Sequence, residues 1–248
     1  MEDDLLETWR RMRLAGGESV TIIDLYELVA RSRGIRAEEL PVDERRELGF
    51  RAMRLMDPRF EIVADSDRLD PEPIELAPYD PVWPARFEAW RLKLVGALPV
   101  VARRIAHVGS TAVPGLSAKP VIDVQVSVDD QRDESGYVPA VEAIGVQLRN
   151  RDSDHRYFRP FTGRPRDVHI HVCSAGGEWE RRHLLFRDYL RASAEARNGY
   201  WHAKKQAVAR WSDDRLAYTE AKDATIRRIT EAAEAWAREK GWSVNPAG

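Results

Sequence analysis

Apolar residues recur at a helical period through the first part of this chain, then switch to alternation and to short Val/Ile runs, and return to the helical period at the end. Leu5, Trp9 and Met12 fall at i, i+4, i+7 and stop at Gly16-Gly17, which predicts a first helix. Ile22, Leu25, Leu28 and Val29 predict a second, ending near Gly34. Asp43 is placed to cap a third, with Leu48, Ala52 and Leu55 inward and its end before Pro58. Phe60 to Val63 reads as a short strand, and the following ADSDRLDPEPI, rich in Asp, Ser and Pro, as a linker. Helices followed by one strand fit either a winged helix or a small helical interaction module.

Beyond the linker, Trp83-Pro84 opens a helix through Phe87, Trp90 and Leu94, with Leu98 on the same side. Arg104 to Val108 reads as a strand, and Val121 to Val128, dominated by Val and Ile, is the clearest strand of the chain. A helix over Val138 to Ile144 ends at Gly145, and strands follow at about 146–149, 155–161 and 166–173. Helices are predicted from Glu178 to about Ser193, from Glu195 to Arg210, and from Leu216 to about Lys240. Tryptophans 83, 90, 179 and 236 are expected in the core. The order predicts an α+β fold, a mixed sheet with packed helices and a helical C-terminal half. The expected division is a small, mainly helical module over residues 1–73 with its linker, then one domain over 74–248.

Composition narrows the partners. Residues 1–73 carry 18 acidic and 12 basic residues, and residues 74–248 carry 23 and 27, so the front is net −6 and the rest net +4. Phosphate contacts supply most nucleic-acid affinity, so an acidic front module is a poor reader of duplex DNA. The helical module suits a protein partner or a homodimer contact instead, and the mildly basic remainder suits an anionic small molecule. No apolar run approaches the roughly 20 residues that span a bilayer, so no membrane segment is expected. The acidic start MEDDLLETWRRM lacks the features of an export signal, and the single cysteine, Cys173, precludes an internal disulfide. A cytoplasmic location is the expectation.

The stretch that carries chemistry runs from His107 through Gly109-Ser110-Thr111 and Lys119 to Asp123 and Gln125. A strand that ends in Gly109-Ser110 lets backbone approach a phosphate without a Cβ in the way, and amides at a following helix N-terminus favour an anion. Asp123 sits within a Val/Ile strand, where an unpaired carboxylate is costly to bury, so a cation or other partner is expected beside it. His169 and His171 share one sheet face by their period-2 spacing and can join Asp123 around one divalent metal. Arg187 and Arg191, one helical turn apart with Asp188 between them, form a candidate forked anion site. The bland alternatives are a capped turn, structural histidines and solvated charges.

Gly-Ser followed about a dozen residues later by a strand carboxylate resembles the signature of nucleotidyltransferases. The full block His107-Val-Gly-Ser-Thr-Ala-Val-Pro-Gly-Leu-Ser-Ala-Lys-Pro-Val-Ile-Asp123 resembles the GrpB family, a branch of that fold. Tyr79-Asp-Pro-Val-Trp83 with Phe87, His169-Ile-His171-Val, Phe186-Arg-Asp-Tyr-Leu-Arg191 and Tyr218-Thr-Glu-Ala-Lys222 accompany it, so the resemblance extends from about Ile74 to the C-terminus. It implies a nucleotidyltransferase-like sheet and a nucleotide or phosphorylated metabolite as ligand. Gly109, Ser110 and Thr111 would seat phosphates, with Lys119, Arg187, Arg191, Lys204 and Lys222 around them. Asp123 would be the candidate catalytic carboxylate and, with His169 or His171, the ligand of a divalent metal (Mg, Mn or Zn). The sequence departs from the two-carboxylate pattern, because position 125 is Gln. A neutral Gln supplies no charge for a second metal, which leaves transferase chemistry and a non-catalytic accessory role both open. GrpB domains fused to dephospho-CoA kinases, thought to aid folding, are the model for the second.

Overall fold

A computed structural model describes residues 2–64 and 73–244, and the described chain forms two compact units. The first joins residues 2–60 and 73–75 with residues 199–227. Helices α1 (Glu2–Gly16), α2 (Ile22–Ser32) and α3 (Val42–Met56) turn Leu6, Trp9, Leu25, Tyr26, Val29 and Leu48 inward. The same core takes Ala207 and Trp211 from α7 (Ala194–Trp211) and Ala217 and Tyr218 from α8 (Arg215–Glu220). This grouping differs from a single cut at residue 73, for a reason of size. Three short helices offer one apolar stripe each and bury too little surface to close a core alone, so aromatic residues from late in the chain complete it. Buried Arg45 pairs with Asp213 at 2.7 Å, which ties α3 to the same late segment.

Several local expectations shift. α3 begins after Pro41, so Asp43 lies in the first helical turn, where its charge suits the helix dipole, and is not the cap. Met12 and Leu55 are exposed. The single final helix expected from Leu216 is two, of which the first, α8, is capped by the Asp214 carboxylate, which accepts from the amides of Leu216 and Ala217 at 3.0 and 2.9 Å. The chain then turns at Ala221-Lys222 and restarts as α9 (Asp223–Lys240). Most of the expected linker, residues 65–72, lies outside the described residues.

The second unit, residues 61–64, 76–198 and 228–244, is a six-stranded mixed sheet with helices on both sides. The strands are β1 (Glu61–Ile62), β2 (Arg104–Val108), β3 (Ile122–Val128), β4 (Val146–Arg151), β5 (His155–Pro160) and β6 (Val168–Ser174), in the order β1-β4-β5-β6-β3-β2. β3 and β6 are parallel, and the other neighbours are antiparallel. The segment expected as a lone strand after the front helices is thus the sheet's outer strand, paired to β4.

Alternation along β3 and β6 separates two faces. Ile122, Val124, Val126 and Val128 join Val168, Ile170 and Val172 in one apolar cluster with Trp83 and Leu94 of α4 (Trp83–Ala97), Leu98 just after it, and Val141 of α5 (Val138–Ala143). Asp123, Gln125 and Ser127, with His169, His171 and Cys173, occupy the other face, over which α6 (Glu178–Ala192) passes. α6 is held to α9 by Leu185, Ala233 and Ala237 and by the paired hydrogen bonds from Arg181 to Glu234 at 2.6 and 2.7 Å. Among the described residues no helix is long and apolar enough to cross a membrane.

Candidate functional site

In the parallel β3–β6 pair Asp123 lies opposite His169 and Gln125 opposite His171, so the strand register alone gathers four polar side chains on one face. His169 Nδ1 is 3.1 Å from Asp123 Oδ1, and His171 Nε2 is 3.8 Å from the same oxygen. One donor atom from each of these three residues lies within 4.8 Å of the others. Tyr157 on β5 closes the side, its ring 5.2 Å from that of His169 and 5.3 Å from that of His171. Trp179 at the start of α6 stacks on His171 at 5.3 Å and on His183 at 3.6 Å.

The charges are set by surroundings. Burial opposes ionisation of Asp123, but the hydrogen bond from His169 and the nearby His171 imidazole outweigh it and hold the carboxyl well below the usual carboxylate range. Burial pushes the His169 imidazolium down to about 4 against the pull of Asp123, and lowers His171 in the same way. At neutral pH the cluster therefore holds an ionised carboxylate and two neutral imidazoles, the protonation states in which these side chains ligate a cation.

Gly109 explains how the motif and the carboxylate fit together. Its φ of 69° lies in the left-handed region, and a Cβ built there would overlap Asp123 Oδ2. Only glycine gives the turn its backbone and leaves the carboxylate its place. The next residues, Ser110–Ala112, form a single 3-10 turn and not the α-helix whose N-terminal amides were expected to favour an anion. That turn is fixed from inside the unit. The Thr111 hydroxyl donates to Val121 O at 3.2 Å and accepts from His107 Nε2 at 3.0 Å, and the His107 ring stacks on Phe87 with centroids 4.8 Å apart and planes within 4°. Burial lowers His107 to about 4, so it stays neutral and keeps this arrangement.

Arg187 and Arg191 hold the turn from the other side. Arg187 donates to His107 O at 3.1 Å and Arg191 to Ala112 O at 2.9 Å, while both reach Asp188. The expected forked anion site is thus also a clamp on the Gly109 turn. With Phe87, His107, Leu184 and Trp242 the two arginines line a cavity of about 460 Å³ along the free edge of β2. Lys119 is half-buried, and its charge disfavours protonation of His169. Lys204 and Lys222 are buried in the first unit, with ammonium groups 5.0 Å from the Tyr200 ring and 4.1 Å from the Tyr218 ring respectively.

The donor set fits a divalent cation, and one further observation supports that fit. Gln125 is wholly buried, yet its Oε1 has no hydrogen-bond partner. Sequence reasoning missed Glu180, which α6 lowers onto this face. Its carboxylate accepts from Ser127 at 2.5 Å, from Arg104 at 3.0 Å and from the Gly176 amide at 2.6 Å. In the sequence Glu178-Trp179-Glu180 reads as a solvated helix start, and nothing there distinguishes Glu180, because Ser127 and Arg104 come from distant segments. The ring stack on Trp179 was missed for the same reason, since an aromatic at a helix start reads first as core.

A sheet of this strand order, with polar strand residues beside a Gly-Ser turn, is an α+β fold of the nucleotidyltransferase type. The model of the GrpB protein family matches residues 73–232, and the chain belongs to that family. The UPF0157 protein BH1888 of Halalkalibacterium halodurans is 38% identical over 162 residues, which cover 65% of this chain and 83% of that protein. A dephospho-CoA kinase of Mycolicibacterium paratuberculosis is 34% identical over 199 residues, 68% of this chain but only 48% of the kinase. The crystal structure of GrpB from Enterococcus faecalis superposes with a TM-score of 0.58 at 31% identity, covering 65% of this chain and 99% of that one.

Proposed function

We propose that this GrpB chain binds a nucleotide or related phosphorylated metabolite together with one divalent cation. The observation that carries the reading is the cluster of Asp123, His169 and His171 under the glycine turn, in the protonation states a cation needs. A bound cation would supply positive charge to phosphate oxygens at this place. The protein's own contribution is to hold Asp123 and the imidazoles fixed, to bring the Gly109 backbone close without a side chain, and to add the Lys119 charge beside His169. In the fullest version Asp123 serves phosphoryl or nucleotidyl transfer.

Gln125 favours a second reading, an accessory domain that binds ligand without turnover. Displacement between two cations draws on more than one carboxylate, and the strand offers a neutral amide at the second position. Kinship with part of a dephospho-CoA kinase accords with such a role.

The test is a thermal-shift screen of nucleotides and coenzyme A precursors with Mg²⁺, Mn²⁺ and Zn²⁺ on wild type and Asp123→Asn. A ligand that binds only the folded state raises the midpoint by mass action. Wild type is expected to show a cation-dependent shift that the variant, folded as before, has lost. An equal shift in both proteins would remove Asp123 from the site. Binding without turnover would select the accessory reading.

A further inference from the structure

The bare carbonyl of Gln125 is oriented by its neighbours and not by chance. Glu180 is an acceptor fed by Arg104 and the Gly176 amide, and the Ser127 hydroxyl gives it its only proton at 2.5 Å. The Ser127 oxygen can then only accept, and its two neighbours on that side are Gln125 Nε2 at 3.4 Å and the Cys173 thiol at 3.9 Å. With its amide nitrogen committed in that direction, the side chain must turn Oε1 the other way, and this oxygen is buried with no hydrogen-bond partner. A buried carbonyl left so costs the fold free energy unless something else meets it. The chain Glu180–Ser127–Gln125 fixes a lone pair where it gains nothing from the protein.

Its place explains it. Gln125 shares its sheet face with Asp123 two residues earlier on β3 and is in register with His171 on β6. Neighbouring strands are about 4.8 Å apart and alternate residues of a strand about 6.6 Å apart, so Asp123, Gln125, His169 and His171 mark the corners of a rectangle of that size. We propose that Gln125 Oε1 is the fourth donor of the cation site, which makes it a single-cation site of two imidazoles, one carboxylate and one amide oxygen. This rests on the reading above and deepens it by naming the cation's class. Imidazole suits zinc and the later first-row metals, whereas magnesium, calcium and manganese prefer carboxylate, carbonyl and water oxygens. Glu180 and Ser127 are positioning residues that act through Gln125.

The test uses the full chain, stripped with a chelator and titrated with Co²⁺ or Zn²⁺ alone. Affinity comes from competition with a chromophoric chelator, and geometry from the visible Co²⁺ spectrum. Wild type is expected to bind one Co²⁺ per chain, with Mg²⁺ unable to displace it. Gln125→Leu is expected to weaken Co²⁺ at least 10-fold and to alter the spectrum, Ser127→Ala to weaken it less, and Gln125→Glu to tighten it by adding charge. Circular dichroism of the metal-free proteins separates these effects from misfolding. If Gln125→Leu folds poorly, Gln125→Glu decides alone, because an unchanged affinity and spectrum there overturn the inference. Wild-type affinity and spectrum in Gln125→Leu overturn it too, and leave the three-residue site standing. A wild type that binds neither cation overturns both.

Discussion

The two faces of β3 and β6 are built from alternate residues of the same strands, and they solve opposite problems. On one face Ile122, Val124, Val126, Val168, Ile170 and Val172 meet α4 and α5 and need no partner beyond close packing. On the other, Asp123, Gln125, Ser127, His169 and His171 are buried or half-buried beneath α6, where each polar group costs free energy unless it is satisfied. The apolar face tolerates any well-shaped filler. The polar face specifies residue identity, because hydrogen-bond direction, charge state and the absence of a Cβ at Gly109 must agree at once. Close packing is concentrated on the first and candidate chemistry on the second, and the shared backbone makes each depend on the other.

The largest break is expected on the polar face. Glu180→Leu removes the carboxylate that meets Arg104 and takes the Ser127 proton, and loss of one partner of a buried ion pair costs about 3–5 kcal/mol. Glu180→Gln keeps an acceptor and is expected to cost less. Ile170→Ala tests the opposite face. It opens a cavity against Val124 and Phe158 and is expected to cost about 3 kcal/mol in urea unfolding. Its effect on cation affinity in the folded protein should be slight, because the imidazoles on either side keep their strand register. A cation affinity that falls in step with stability would show that the faces are not separable in this way.

Gly109→Ala comes next, at about 1–3 kcal/mol for a side chain forced into the left-handed region. Here the stability loss is the smaller matter. The new methyl collides with the Asp123 carboxylate, so cation binding should be lost even in conditions where the variant is folded. Retention of cation binding would mean that the turn moves aside and that its contact with Asp123 does not set the site.

How far these faces are legible in the sequence depends on the same contrast. The apolar face announces itself in the Val/Ile alternation of residues 121–128, and the GrpB block supplies the fold. His169-x-His171 and Asp123-x-Gln125 each place two side chains on one face, since strand periodicity is local. That the two pairs share a face in register is tertiary, set by the parallel β3–β6 pairing. Glu180 was invisible because its role depends on where a helix lies across a sheet. The link between the front helices and residues 199–227 was invisible too, as an apolar stripe does not name its partner. The 3-10 turn after Gly109 shows the limit of a motif, which located the phosphate-binding candidate but misjudged the element behind it.

The smallest and most diffuse effect is that of pH, and it sharpens the comparison because the apolar residues of β3 and β6 contribute nothing to it, leaving only His107 on β2 to titrate on that side. Burial depresses His169 and His107 to about 4 and His183 to about 3, all below the 6.5 of an unfolded histidine. Below pH 6.5 the unfolded chain takes up protons that the fold refuses, so it binds more protons and stability rises with pH across that window. Metal-free protein should therefore lose stability steadily from pH 6.5 down to about 4. Asp123, whose carboxyl is held low, stabilises above the unfolded carboxylate range and adds a loss only as the pH falls below it. His183→Leu removes one refused proton while leaving the Asp123 cluster in place, so urea unfolding at several pH values should show a shallower slope between pH 6.5 and 4. An unaltered slope would mean that His183 protonates in the folded state by moving off Trp179, and that burial over this face is looser than the 3.6 Å stacking indicates.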